Sequence, residues 1–214
     1  NTLLYTGGDD ATAAKGDLLT SVTISGDRAV NFDYTAADAT EITSINASAL
    51  TGALTFNLND LKATGTLTLG SGDDAITAQT GVASGGTVAA MRAISGIEKG
   101  TAENSTIQSN YDVIKLAGAV QAADVAATAT HTVKDGLFTF NGTGPATLDA
   151  AVAAVAAVIS ANEAVVFEYV GNSYIYAEGA TDGGTDDVLI KLTGVTGLAG
   201  LDDVNAAGGN LYVF

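Results

Sequence analysis

Short runs of alternating apolar and polar residues recur through the first half of the chain. Within each run Val, Ile, Leu or Phe alternates with Thr, Ser or Asn, and turns rich in Gly, Asp, Asn and Ala separate the runs. Alternation with a period of two is typical of a strand with one buried and one exposed face. The clearest runs lie at residues 21–24, 29–32, 41–45, 53–57, 65–69, 75–78 and 106–108. We therefore predict a mainly β protein.

The spacing of these runs suits two architectures. Their centres lie roughly 8 to 12 residues apart, as in a β-sandwich or in a parallel β-solenoid, where each coil buries its apolar face on its neighbours. Two-residue hairpin turns such as Asn-Gly between matched strands are missing from residues 1–115. The pattern therefore favours a β-solenoid over residues 1–115, with the sandwich as the alternative.

Residues 116–214 show a different pattern, with one helix signal. Leu148, Val152, Val155 and Ile159 recur at helical spacing, and Thr147 is positioned as an N-cap. This predicts a helix over residues 148–161. Apolar runs at residues 165–169 and 172–176, joined through a glycine, predict a hairpin, and a further strand is predicted at 188–192. The apolar end at 210–214 is costly to expose unless it forms a strand or is read by a partner. We expect a smaller β-rich module here.

Charge narrows the possible functions. The 214 residues include 24 Asp and Glu but 8 Lys and Arg, for a net charge of −16. Such a chain repels phosphate backbones, so we expect no nucleic-acid partner. We also expect no membrane insertion, because no apolar stretch approaches about 20 residues. Without Cys, a disulfide framework and thiolate metal sites are excluded.

One motif carries specific chemistry. The stretch from residue 69 to 77 nearly matches the calcium-binding nonapeptide G-G-x-G-x-D-x-U-x, with Leu69 in place of the first glycine. Glycines permit a tight turn whose carbonyls face an ion, and a carboxylate supplies a charged oxygen. We predict calcium at Gly70, Gly72 and Asp74. The alternative is an acidic turn in an acidic protein.

A second acidic loop surrounds the Gly-Gly pair at residues 183–184. Its carboxylates are Asp182, Asp186 and Asp187. Hard cations such as calcium prefer carboxylate oxygens, so this loop is a second predicted calcium site.

Several phrases resemble bacterial surface-layer (S-layer) proteins of the RTX type. They lie at residues 22–30, 45–54, 69–76 and 93–98, and residues 165–176 and 186–195 are similar to the C-terminal regions of that family. The resemblance implies a secreted, calcium-dependent protein that self-associates into a lattice on the cell surface. The apolar end, residues 211–214, resembles the uncleaved signal that type I exporters recognise.

Two further expectations follow. The chain starts within a strand-like phrase, so we expect it to be a segment of a longer protein. The alternative function is the non-catalytic C-terminal region of a secreted RTX hydrolase or adhesin, which carries the same kind of export tail.

An enzymatic function is not favoured by the residues. His131 is the single histidine, and no G-x-S-x-G nucleophile elbow occurs. A pair of acids for glycoside cleavage is formally available, but without Trp the commonest platform for stacking sugars is missing. We therefore predict a structural protein, not an enzyme.

Overall fold

The fold is described from a computed structural model. It covers residues 2–7, 19–33, 42–78, 88–100, 111–116, 120–181, 186–205 and 209–214. The strands are β1 Thr2–Gly7, β2 Leu19–Gly26, β3 Val30–Phe32, β4 Ser44–Leu50, β5 Leu54–Asn57, β6 Thr66–Thr68, β7 Ala75–Thr77, β8 Arg92–Ser95, β9 Val113–Lys115, β10 Gln121–Ala122, β11 His131–Lys134, β12 Leu137–Phe140, β13 Glu163–Tyr169, β14 Asn172–Ala177, β15 Val188–Leu192, β16 Leu201–Asn205 and β17 Asn210–Val213. The helix α1 is Leu148–Ala156. The prediction of a mainly β protein is confirmed. The predicted strand at 106–108 lies outside the described residues.

From β2 to β9, consecutive strands alternate between two sheets. Strands β2, β4, β6 and β8 pair in parallel in the first sheet, and β3, β5, β7 and β9 pair in parallel in the second. Each passage of the chain therefore adds one strand to each sheet. The parallel pairing of β2–β9 agrees with the prediction, whereas β1 pairs antiparallel with β2, and the solenoid itself stays a prediction.

Apolar side chains in register form the core between these sheets. Inward positions of neighbouring strands stack into two apolar columns, because the alternation of residue types places every second side chain on the same face. The first column is Val22, Ile45, Leu67, Ile94 and Leu192, and the second is Phe32, Phe56, Ile76, Ile114 and Leu211. All ten belong to or pack against one apolar cluster.

Strands from residues 116–214 extend both sheets. In the first sheet β15 pairs in parallel with β8 and is followed by β14, β13, β12 and β11. In the second, β17 pairs antiparallel with β9 and β16. The predicted boundary after residue 115 falls at the end of β9, and the chain beyond it continues the same sheets.

The helix begins where the sequence predicts and ends earlier. The Thr147 side chain accepts a hydrogen bond from the Ala150 N–H as the N-cap. The last helical residue is Ala156, five before the predicted end, because the following residues turn back toward β13 and the Glu163 carboxylate accepts the Ser160 N–H. The helix packs its buried face on an aromatic-rich cluster of β12–β14.

Candidate functional site

The predicted calcium turn places Asp74 in the interior, directly before β7. Its side chain is 1 % exposed. One carboxylate oxygen, Oδ1, accepts the backbone N–H of Leu54 at 2.7 Å. The other, Oδ2, is buried and has no hydrogen-bond partner in the described part of the chain. The carboxylate thus faces the start of β5, the strand that precedes β7 in the second sheet.

Gly70 and Gly72 are required because their turn lies directly against the turn at residues 50–52. A Cβ added at Gly70 would lie 1.9 Å from the carbonyl oxygen of Leu50, and one at Gly72 would lie 2.4 Å from the carbonyl carbon of Gly52. Real Cβ atoms do not approach backbone so closely, so any larger residue would push the two turns apart. The N–H of Ser71 donates to Leu50 O at 3.1 Å, which ties the turns together.

Asp112 repeats the arrangement one level further along and was not among the predicted residues. Its Oδ1 accepts the N–H of Asp74 at 2.9 Å, and its Oδ2 accepts the N–H of Glu98 at 2.7 Å. A sequence signal existed: Asp-Ala-Ile-Thr at residues 74–77 and Asp-Val-Ile-Lys at 112–115 share a pattern, and their strands pair in register. We call Asp74 and Asp112 the aspartate ladder.

Both ladder carboxyls titrate far above their usual range. Burial raises the pKa of Asp74 to about 6, against the opposing effects of the backbone N–H groups of Leu54 and Gly70. Burial likewise raises the pKa of Asp112 to about 7, despite hydrogen bonds from Glu98 and Asp74. Desolvation is the larger effect in each case because it disfavours the charged form more than these bonds favour it.

The second predicted site is divided between two environments. Asp186 is exposed, and its Oδ2 accepts the N–H of Ala180 at 2.7 Å. Asp187 is fully buried, and its Oδ1 accepts the N–H of Gly179 at 3.1 Å. The two carboxylates therefore bind consecutive N–H groups of the loop after β14. Asp182 lies outside the described residues.

Asp187 meets a second buried acid that sequence reasoning missed. The Tyr176 hydroxyl lies 2.7 Å from Oε2 of Glu178 and 3.2 Å from Oδ2 of Asp187. All three side chains are at most 1 % exposed. Burial, followed by the nearby charge of Glu178, raises the pKa of Asp187, while its hydrogen bonds oppose the shift. We call Glu178 and Asp187 the buried acid pair.

The described side chains do not by themselves make a calcium site. Calcium takes roughly six to eight oxygen ligands, and the side chains of the Gly70–Asp74 turn offer one carboxylate oxygen without a hydrogen bond. Within the described ranges no group of three His, Asp or Glu side chains is arranged to hold a metal ion. The carboxylates at both predicted sites instead bond mainly to backbone N–H groups.

His131 lies at the edge of the first sheet, beside an open cleft of about 400 Å³. Its ring stacks on Phe138 with centroids 5.3 Å apart, and Nδ1 lies 3.2 and 3.1 Å from the hydroxyls of Thr128 and Thr130. In the described part of the chain the polar contacts of His131 are made with hydroxyl groups and backbone, and no carboxylate takes part in them. The surroundings therefore do not form a Ser-His-Asp arrangement.

No protein-family model matches the chain, and a search of curated proteins finds no match. In the part of the chain described here, the helices are too short or too polar to cross a membrane.

Proposed function

We propose that the chain is a structural, self-assembling segment of a secreted bacterial surface protein of the S-layer type. One observation carries the proposal. The strands β2 to β9 alternate between two parallel sheets, as expected for a two-sheet parallel β-solenoid in which each coil adds one strand to each sheet. Such stacks are extended, repetitive and suited to building a layer, and the resemblance of the sequence to RTX-type S-layer proteins supports the same role.

The sheet ends support self-association. In the described part of the structure β1 ends the first sheet and β3 ends the second, each with one neighbour along the sheet. At the opposite ends Val125 bridges to Val133 of β11, and the Leu201 N–H of β16 donates to the Asp135 carbonyl. An edge strand offers a row of N–H and C=O groups that another chain can pair with. Copies could therefore join edge to edge, which is the kind of contact that a lattice needs.

Net charge explains why calcium would assist. With −16 on each copy, neighbouring copies repel one another. Divalent ions at exposed carboxylates reduce that repulsion and can join acids of two copies. Calcium then acts between copies, at the surface.

The buried position of the C-terminal strand is compatible with export if the exporter binds the tail before the chain folds. Leu211, Tyr212 and Val213 are buried in β17, between β9 and β16. A type I exporter would read this tail before the chain folds, and the tail would then complete the second sheet outside the cell.

Calcium-dependent assembly tests the proposal. The chain is stripped with EDTA, then given calcium or sodium chloride at equal ionic strength, with light scattering, circular dichroism and electron microscopy as readouts. We expect ordered sheets in calcium, with β structure present beforehand, and no growth in sodium, because screening by itself does not join carboxylates. A gain of β structure without growth would overturn the proposal in favour of a secreted hydrolase or adhesin tail. No response to calcium would overturn the calcium-assisted part.

A further inference from the structure

We propose that the aspartate ladder takes the place of an ion in the Gly70–Asp74 turn, so that the parallel stack is held without calcium. This deepens the proposed function and rests on it for the role of calcium, which is then confined to contacts between copies. The ladder itself is an intramolecular feature and is tested separately from assembly.

The geometry of three stacked positions carries the inference. Leu54, Asp74 and Asp112 each lie one residue before or at the start of paired strands in neighbouring levels of the second sheet. Each carboxylate accepts the N–H of the residue one level below, Asp74 from Leu54 and Asp112 from Asp74. A buried N–H without a partner is costly. The ladder removes that cost at two successive levels.

The glycines belong to the same device. Gly72 lies on Gly52, and Gly52 in turn lies on Arg28, since a Cβ at Gly52 would be 2.3 Å from the Arg28 carbonyl carbon. The close approach therefore repeats at a level that has no calcium-like motif. Stacking of turns explains the glycine requirement there, and the same cause suffices at Gly72.

One atom of Asp74 favours an ion site over the ladder. Oδ2 of Asp74 is buried without a hydrogen bond among the described residues, and a cation would be attracted to it. Asparagine keeps the Oδ1 acceptor for Leu54 and removes the charge. Substitution at this position therefore separates an ion site from a ladder rung.

The first experiment measures thermal unfolding of the Asp74→Asn variant at pH 7.5, by circular dichroism at low protein concentration, in calcium and in EDTA. Asp33→Asn is the matched control, because it removes the same charge from an exposed position after β3. We expect calcium to have the same effect on the unfolding midpoint of the native chain and of both variants, whether that effect is a shift or no change. A calcium-induced rise in the native chain that Asp74→Asn abolishes and Asp33→Asn retains would overturn the ladder.

The second experiment replaces Asp112 and is carried out at pH 4.5, where burial keeps the Asp112 carboxyl of the native chain neutral. Asp112→Ala leaves the N–H groups of Asp74 and Glu98 without acceptors, so we expect its midpoint to fall by about 5–10 °C. Asp112→Asn retains one acceptor and should fall less, which keeps the test open if the alanine variant does not fold. Equal midpoints for Asp112→Ala and the native chain would overturn the ladder, whatever the outcome of the assembly experiment.

Discussion

The buried carboxyl of Asp74 should make the free energy of unfolding depend on pH. Replacing Asp74 by Asn should remove this contribution. The folded-state pKa is raised from 3.8 to about 6 by burial. A carboxyl with a raised folded-state pKa favours the folded chain when protonated. Its contribution is therefore complete below about pH 4, and it is lost as the pH rises through about 6. Above pH 7 the loss is constant.

The size of the effect follows from linkage. Between pH 4.5 and pH 8, ionisation of Asp74 lowers the free energy of unfolding by about 2 kcal/mol relative to a permanently neutral side chain. Asp74→Asn keeps the acceptor for the Leu54 N–H but buries an amide without a partner, which costs about 1–3 kcal/mol at every pH. The absolute difference between variant and native chain thus contains the cost of the amide as well as the ionisation. Its change with pH contains the ionisation of Asp74 and, in the same direction, a smaller contribution from Asp112, whose pKa the Asp74 charge raises.

The assay is urea unfolding followed by circular dichroism, in EDTA and at low protein concentration, from pH 4.5 upward so that the chain stays above its isoelectric point near 4.1. The free energy of unfolding of Asp74→Asn, minus that of the native chain, should rise by about 2 kcal/mol between pH 4.5 and pH 8. Asp33→Asn, which removes an exposed charge, should show a nearly flat difference. A flat difference for Asp74→Asn as well would refute the reasoning that desolvation governs this carboxyl.

Three further predictions test the stacked turns, a strained hairpin and the buried acid pair. Gly70→Ala should lower the free energy of unfolding by more than about 3 kcal/mol, since its Cβ would meet backbone at 1.9 Å, while Gly144→Ala, where the nearest atom is 4.0 Å away, should change it little. Val170→Asn should raise urea stability by about 1 kcal/mol, because Val170 is 79 % exposed at φ 46°, where a β-branched residue is strained and Asn is tolerated. Tyr176→Phe removes the hydroxyl shared by the buried acid pair and should cost about 1–3 kcal/mol, whereas Tyr169→Phe, at a half-buried tyrosine, should be nearly neutral in the same assay.

Much of the fold could be predicted because the local pattern and the tertiary packing agree. The alternation at residues 53–57 and 75–78 puts Phe56 and Ile76 on the inward face, and these two residues pair in register in the core. The N-cap at Thr147 is likewise a local property of the chain. The end of α1 is different, since it depends on where β13 must begin. The first residue of β13, Glu163, pairs with Gln121 of β10, which lies on the other side of α1 in the chain.

The buried acids show where local reading fails. An acidic loop in an acidic protein reads as solvated surface, and nothing near Asp187 in the sequence indicates that it turns inward. Its direction follows from the pairing of β14 with β15, which brings the Tyr176 hydroxyl and the carboxylate of Glu178 to the same place. Only the long-range register of the sheet supplies that information.

The Gly70–Asp74 turn shows a different limit, because two physical causes demand the same residues. An ion cradle needs glycines for a tight turn and a carboxylate for charge. Stacked turns need glycines for close approach, and a carboxylate in the turn can accept the N–H one level below. A ladder also predicts an acid at the equivalent position before the next strand of the sheet. Asp112 is that acid, and residues 112–115 repeat the pattern of residues 74–77. In a chain of parallel coils, an aspartate that recurs before successive strands is therefore better evidence for a ladder than a single Gly-x-Gly-x-Asp is for an ion.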